Sequence, residues 1–152
     1  MTIPTLTPAS LSQLDQAAFV AALDGIFEHS PWVAERAWVR RPFADREALL
    51  GTLVGAMQAA PRDAQMALIR AHPELAGKAA VRGELTAEST REQAGAGLAA
   101  CSREEFELIQ ALNGAYNAKF GFPFIIAVRG LGRADIIAAM ERRLGHDPEA
   151  EF

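Results

Sequence analysis

Polar groups that a fold must bury say more about chemistry than charges on a surface, and three stretches of this sequence place polar groups that way. The first is Ala71-His72-Pro73-Glu74-Leu75-Ala76-Gly77-Lys78. The proline after His72 disfavours helical winding through the histidine, so His72 is expected at a helix end. A helix C-terminus favours the protonated imidazole, and burial opposes it. A histidine there can serve as an acid–base group, or simply as a capping residue.

The second stretch is Thr86-Ala87-Glu88-Ser89-Thr90-Arg91-Glu92-Gln93-Ala94. On a helix, Ser89, Glu92 and Gln93 stand at i, i+3 and i+4 and share one face. A hydroxyl, a carboxylate and an amide within one turn can surround a small polar ligand with donors and acceptors together. The plain alternative is an exposed helix with ordinary polar residues. Glu88 and Arg91 fit the solvent side better.

The third stretch runs from Asn113 to Gly130 and contains Phe122-Pro123-Phe124-Ile125-Ile126-Ala127-Val128. That run is too apolar for a surface loop. An irregular buried segment leaves backbone N–H and C=O groups in need of partners. A bound heterocycle with amide and ureido groups could supply them, as could neighbouring side chains and water.

Other chemistries lack their residues. His29, His72, His146 and Cys101 have no recognised metal spacing, and neither HExxH nor CxxC occurs. Gly130-Leu131-Gly132 lacks the lysine and remaining glycines of a phosphate loop. There is no Gly-x-Ser-x-Gly elbow for a serine hydrolase. Tyr116, Phe120, Phe122 and Phe124 are expected in the core.

The elements that must position these groups are helices. After a leader rich in Pro and Thr, Asp15 caps a first helix, with Leu14 and Phe19 as a hydrophobic staple and Phe19, Leu23, Ile26 and Phe27 on one face. Ser30-Pro31 starts a second, carrying Trp32 and Ala37 inward and ending near Arg41-Pro42. Asp45 caps a third, striped by Leu49, Leu50, Leu53, Val54 and Met57. A fourth is expected over 61–71, and a fifth over 87–96, with Thr86 as its cap. Ser102 and Glu105 form a capping box for a sixth, with Cys101 and Phe106 as its staple and Gly121 as its stop. A last helix spans about 133–144. Residues 122–128 would be called a strand by local rules, but one strand has no partner here. The expected fold is therefore all-α: a single-domain bundle of about seven helices over 1–152, with a buried extended segment near residues 122–128.

Composition agrees. The 152 residues fit one domain. Half are hydrophobic and aromatics reach 7%; abundant Ala with sparse Val and Thr favours helices over strands. A net charge of -4 argues against nucleic-acid binding, and pairs such as Arg40–Arg41 and Arg142–Arg143 read as solvated faces. One cysteine gives no internal disulfide and fits a reducing compartment. No signal peptide or long apolar run is present, so a soluble cytoplasmic protein is expected, with no membrane partner.

FEHSPWVAERAW (27–38), AHPELAGK (71–78), LTAESTREQAGAGL (85–98) and NGAYNAKFGFPFIIAVRG (113–130), in collinear order over nearly the whole chain, resemble the OHCU decarboxylase family; OHCU is 2-oxo-4-hydroxy-4-carboxy-5-ureidoimidazoline. The resemblance implies an all-helical enzyme of urate degradation, usually a homodimer, that converts OHCU to (S)-allantoin and CO2. It implies no cofactor and no metal. By motif, His72 resembles the catalytic histidine, with Glu92 as its partner, and Pro73 part of the pocket wall. Ser89, Glu92 and Gln93 resemble the substrate-holding helix face. Phe124, Ile125, Ile126, Ala127 and Val128 resemble the segment whose backbone binds ring and ureido groups. The family continues beyond the DPEAEF-like segment with a helix carrying a substrate-gripping arginine; the sequence given reaches Phe152, where that helix would begin. The rival readings are a related helical enzyme acting on another ureido or imidazoline compound, and a non-catalytic helical interaction module.

Overall fold

The computed structural model describes residues 5–76 and 87–152, and among these it contains α-helices and a short 3-10 helix but no strand. The chain divides into two compact units, Met1–Ala71 and His72–Phe152.

The first unit holds α1 (Pro8–Ser12), α2 (Gln16–Ala22), α3 (Trp32–Trp38), α4 (Arg46–Gln58) and α5 (Arg62–Ala71). The carboxylates of Asp15 and Asp45 accept from the backbone N–H of Ala18 and Ala48 at 2.8 and 2.7 Å, satisfying donors that a helix start leaves open. Phe19, Val33, Ala37 and Leu53 are almost wholly buried, and Phe19 stacks on Phe43 with ring centroids 5.6 Å apart. The indole N–H of Trp38 donates to the carbonyl of Leu14.

Three expectations differ in detail. The Asp15-capped helix ends at Ala22, because the chain leaves helical winding through Gly25 (φ 85°) and His29 (φ 49°); Ile26 is consequently 51% exposed rather than on a core face. Ser30 does not cap α3, since its hydroxyl donates to the carbonyl of Glu28 at 3.1 Å. On α4, Leu49 and Leu53 are buried but Leu50 and Val54 are exposed, so the apolar stripe is narrower than its sequence suggests.

The second unit holds α6 (Ala87–Gly95), the 3-10 turn Leu98–Ala100, α7 (Arg103–Phe120), α8 (Arg133–Arg143) and α9 (Pro148–Glu151). Thr86, the expected cap of α6, lies outside the described residues. The capping box at Ser102 forms as expected. Glu105 N–H donates to the Ser102 hydroxyl at 3.1 Å, and Ser102 N–H to the Glu105 carboxylate at 2.9 Å. Gly121 closes α7 with φ 76°, a conformation that costs other residues a Cβ clash. Ile109, Leu112, Tyr116 and Phe120 give α7 its buried face.

Residues 123–128 run between α7 and α8 without regular structure. Phe122, Phe124 and Val128 are buried, Ile125 and Ile126 half-buried and Ala127 exposed. The expected extended segment is therefore anchored at both ends and open in its middle. Its anchor is aromatic: the Phe124 ring meets the Tyr116 ring edge-on at 5.3 Å. The described residues form nine α-helices against the expected seven. The two additions, α1 and α9, are single turns too short for a hydrophobic period to reveal.

Candidate functional site

His72 follows α5 directly and is half-buried. Its Nδ1 lies 3.0 Å from the carbonyl oxygen of Pro73. A carbonyl can only accept, so the proton sits on Nδ1 and neutral His72 presents Nε2 as a base. The proline that stops α5 thus also fixes the tautomer.

The turn carrying His72 is held by amide side chains from two helices. Gln93 on α6 is buried; its Oε1 accepts from Ala76 N–H at 3.0 Å and its Nε2 donates to the Glu74 carbonyl at 3.4 Å. From α7, Gln110 donates to the Ala76 carbonyl at 2.6 Å and Asn113 to the Leu75 carbonyl at 3.0 Å. Asn117 donates to the Glu74 carboxylate and to the Asn113 carbonyl. The three carbonyls of residues 74–76 and the Ala76 N–H are thereby satisfied by side chains rather than secondary structure, as buried irregular backbone requires. Asn113 is 1% exposed, and its Oδ1 has no hydrogen-bond partner among the described residues.

Glu92 occupies a different place from its neighbour Gln93. It is exposed and lines a cleft of about 390 Å3 with Arg91, Gly95, Ala127, Val128, Arg129 and Gly130. The backbone N–H and C=O groups of Ile126 and of the cleft-lining Ala127 make no hydrogen bond to any described residue.

The remaining expected site residues fall as follows. His72 is not among the residues lining the cleft, and no hydrogen bond or ion pair joins it to Glu92; Gln93 ties the His72 turn to the helix that carries Glu92. Pro73 is half-buried beside the imidazole it orients. Ser89 lies on α6, but its side chain is outside the described residues. The Phe124 side chain is fully buried against Tyr116, leaving only its backbone for a ligand. The Ile125 carbonyl is already taken, by Arg143 Nη1 at 2.8 Å. Val128 and Ala127 line the cleft.

Arg143 corrects the reading of Arg142–Arg143 as a solvated pair. Its Nε and Nη2 meet the Glu151 carboxylate at 2.9 and 2.8 Å, and its guanidinium lies 4.3 Å from the Phe124 ring centroid. The Glu151 side chain is 3% exposed and also accepts from the Tyr116 hydroxyl and from His146 Nδ1. Burial pushes its carboxyl up, but the donors Arg143, Tyr116 and His146 outweigh that and hold it at about 2. Burial, reinforced by the Glu151 carboxylate, pushes the Tyr116 phenol up to about 12.

Sequence reasoning missed both networks. Gln110, Asn113 and Asn117 at i, i+3 and i+7 form a polar stripe beside the apolar face of α7, a signal that was there to find. Glu151 gave none, since one acidic residue in a short polar run looks solvated until the fold supplies its partners.

A family model described as OHCU decarboxylase matches residues 12–152. The 2-oxo-4-hydroxy-4-carboxy-5-ureidoimidazoline decarboxylase of Haloferax volcanii is 44% identical over 147 residues, covering 97% of this chain and 85% of that protein. The protein of the same description from Halalkalicoccus jeotgali is 42% identical, covering 97% and 81%. Among solved structures, that of (S)-allantoin synthase superposes with a TM-score of 0.71 at 28% identity over 96% of this chain. The chain spans about half of that protein, 47% of its length.

Proposed function

Because this chain belongs to the OHCU decarboxylase family, we propose that it catalyses cofactor-free decarboxylation of OHCU to (S)-allantoin and CO2 in urate degradation. The observation that carries the reading is the cleft lined by both Glu92 and Ala127, whose backbone groups no described residue satisfies, in a chain whose residues 12–152 match the family.

The substrate brings its own electron sink. When the bond to the carboxylate breaks, its electron pair moves toward the adjacent ring C=N, and CO2 leaves. The ring nitrogen that receives the pair takes up a proton, loss of the hydroxyl proton forms the ring carbonyl, and a proton delivered to one face of the ureido-bearing carbon creates the stereocentre. One proton is consumed per CO2 released. The protein's work is orientation and proton transfer, worth up to about 10 kcal/mol and about 10²–10⁴-fold respectively in favourable cases.

In this reading His72 takes the hydroxyl proton through Nε2, which the Nδ1–Pro73 contact leaves as a base. Glu92 holds or polarises the hydroxyl from the α6 side of the cleft and, with His72, returns a proton to carbon. Ile126 and Ala127 offer the ring and ureido amides both donors and acceptors. Gln93 acts chiefly through the 74–76 turn, with one N–H to spare for substrate, and Ser89 completes that helix face. Pro73 walls the pocket, and Phe124 and Val128 anchor its far side.

The reading includes a homodimer, which the family resemblance supports, and a cytoplasmic location, which a single cysteine supports. No helix among the described residues is long and apolar enough to cross a membrane.

The test generates OHCU in situ with urate oxidase and hydroxyisourate hydrolase and follows circular dichroism. Spontaneous decay yields racemic allantoin, so a growing (S)-allantoin signal reports catalysis. A signal no larger than without protein refutes the assignment.

A further inference from the structure

The open middle of the 122–128 segment is fixed by a residue that never reaches the cleft. Arg143 stands in the last turn of α8 and its side chain is 22% exposed. One arm of its guanidinium donates to the Ile125 carbonyl at 2.8 Å, while the other two nitrogens meet one oxygen of Glu151 at 2.9 and 2.8 Å. The plane lies over Phe124 and extends to the Tyr116 hydroxyl at 3.5 Å.

A guanidinium is a rigid planar fork, so fixing two of its edges fixes the third. Glu151 cannot turn aside to release it, being buried and further held by Tyr116 and by His146 Nδ1 at 2.7 Å. The Ile125 carbonyl is therefore pinned from outside the cleft. One residue on begin the backbone groups that no described residue satisfies, and Ala127 lines the same cleft as Glu92. A peptide unit next to a pinned carbonyl loses much of its freedom to rotate, and misplacement of a binding edge by about 1 Å can cost about a hundredfold in rate.

We propose that Arg143 is a positioning residue of the reaction: by pinning the Ile125 carbonyl it sets the backbone of Ile126 and Ala127 in the register that receives the substrate's ring and ureido amides. The inference rests on the functional reading above. It gives Arg143, with Glu151 behind it, a role in substrate recognition and stereochemistry although neither lines the cleft.

Arg143→Lys keeps the charge and loses the fork; Glu151→Gln keeps the shape and loosens the fork's anchor. Arg142→Gln, at the exposed neighbouring position, is the control. Each is measured for melting temperature, KM, kcat and enantiomeric excess of allantoin in the in situ assay, and for amide hydrogen exchange at Ile126 and Ala127 without substrate. Positioning predicts that both network variants raise KM about ten- to a hundredfold, lower the enantiomeric excess and speed exchange at the two amides, while the control does none of these. Unchanged KM, enantiomeric excess and exchange overturn the proposal, even where the melting temperature falls, because a purely structural tie moves only the last. If Arg143→Lys does not fold, Glu151→Gln decides on the same readouts. Absent turnover by the wild-type chain refutes the functional reading instead, and amide exchange then still decides whether Arg143 fixes the segment.

Discussion

The side-chain oxygen of Gln93 accepts from the backbone N–H of Ala76 at 3.0 Å, so the helix that carries Glu92 also holds the turn that carries His72. Two residues distant in sequence are thereby referred to one frame without touching each other. Gln93→Leu leaves two backbone groups of the turn without partners. We expect a stability loss of about 1–3 kcal/mol and a fall in kcat exceeding any change in KM. Gln93→Glu, which keeps the acceptor for Ala76, should recover part of both. Denaturant unfolding with steady-state kinetics on the three proteins checks this.

Asn113 supplies the matching support from α7, through its bond to the Leu75 carbonyl. Asn113→Ala orphans that carbonyl and opens a small void, and should destabilise by about 2 kcal/mol while lowering turnover. Asn113→Asp should be worse near neutral pH, because the lost donor is replaced by a buried anion. Thermal melts at two pH values distinguish the variants: Asn113→Asp should recover stability as pH falls and Asn113→Ala should not.

Glu151 ties α7, α8 and α9 together through an ion pair that should be acid-sensitive. Its folded carboxyl sits near about 2, below the ordinary value of about 4.3. A depressed carboxylate contributes stability that is complete above its unfolded pKa and is lost as pH falls through the folded one. Melting temperature should therefore decline between about pH 4.5 and pH 2, and Glu151→Gln should start lower at neutral pH and lose less over that window. A wild-type decline no steeper than the variant's would contradict the assignment.

Tyr116 reads the same network from the alkaline side, and it is the only tyrosine in the chain. Ultraviolet titration of its phenolate should give a value near about 12. A phenol raised in the folded state stabilises below its unfolded pKa of about 10 and loses that contribution as pH rises through 12. Glu151→Gln should bring the titration down while leaving it above the ordinary value, because burial, its larger cause, remains.

Much of the framework is legible from local rules. Asp15, Asp45 and the Ser102–Glu105 box mark helix starts because their caps involve residues within three positions. Gly121 marks a stop for the same reason. The 122–128 run betrays itself by being too apolar for its lack of helical period. What stayed hidden depends on long-range pairing. Arg143 finds its anion eight residues on, a phenol twenty-seven back and a carbonyl eighteen back, and no window of sequence holds all three. Gln93, read as a substrate ligand, turns out to be mostly committed to the 74–76 turn, a partner only the fold could supply.

Glu92→Gln keeps the cleft's shape and removes its carboxylate. Turnover should fall about 10²–10⁴-fold, with binding of (S)-allantoin, read by thermal shift, changed far less. Equal losses in binding and turnover would reduce Glu92 to a substrate-holding group.

His72 is proposed to perform, through Nε2, the proton transfer of a decarboxylation needing no cofactor. The most direct measurement is the rate of (S)-allantoin formation by His72→Asn in the in situ circular dichroism assay, with folding verified by its melting curve. A folded variant whose rate has fallen about 10²–10⁴-fold is the predicted result. A folded variant that still makes (S)-allantoin at near the wild-type rate would contradict it.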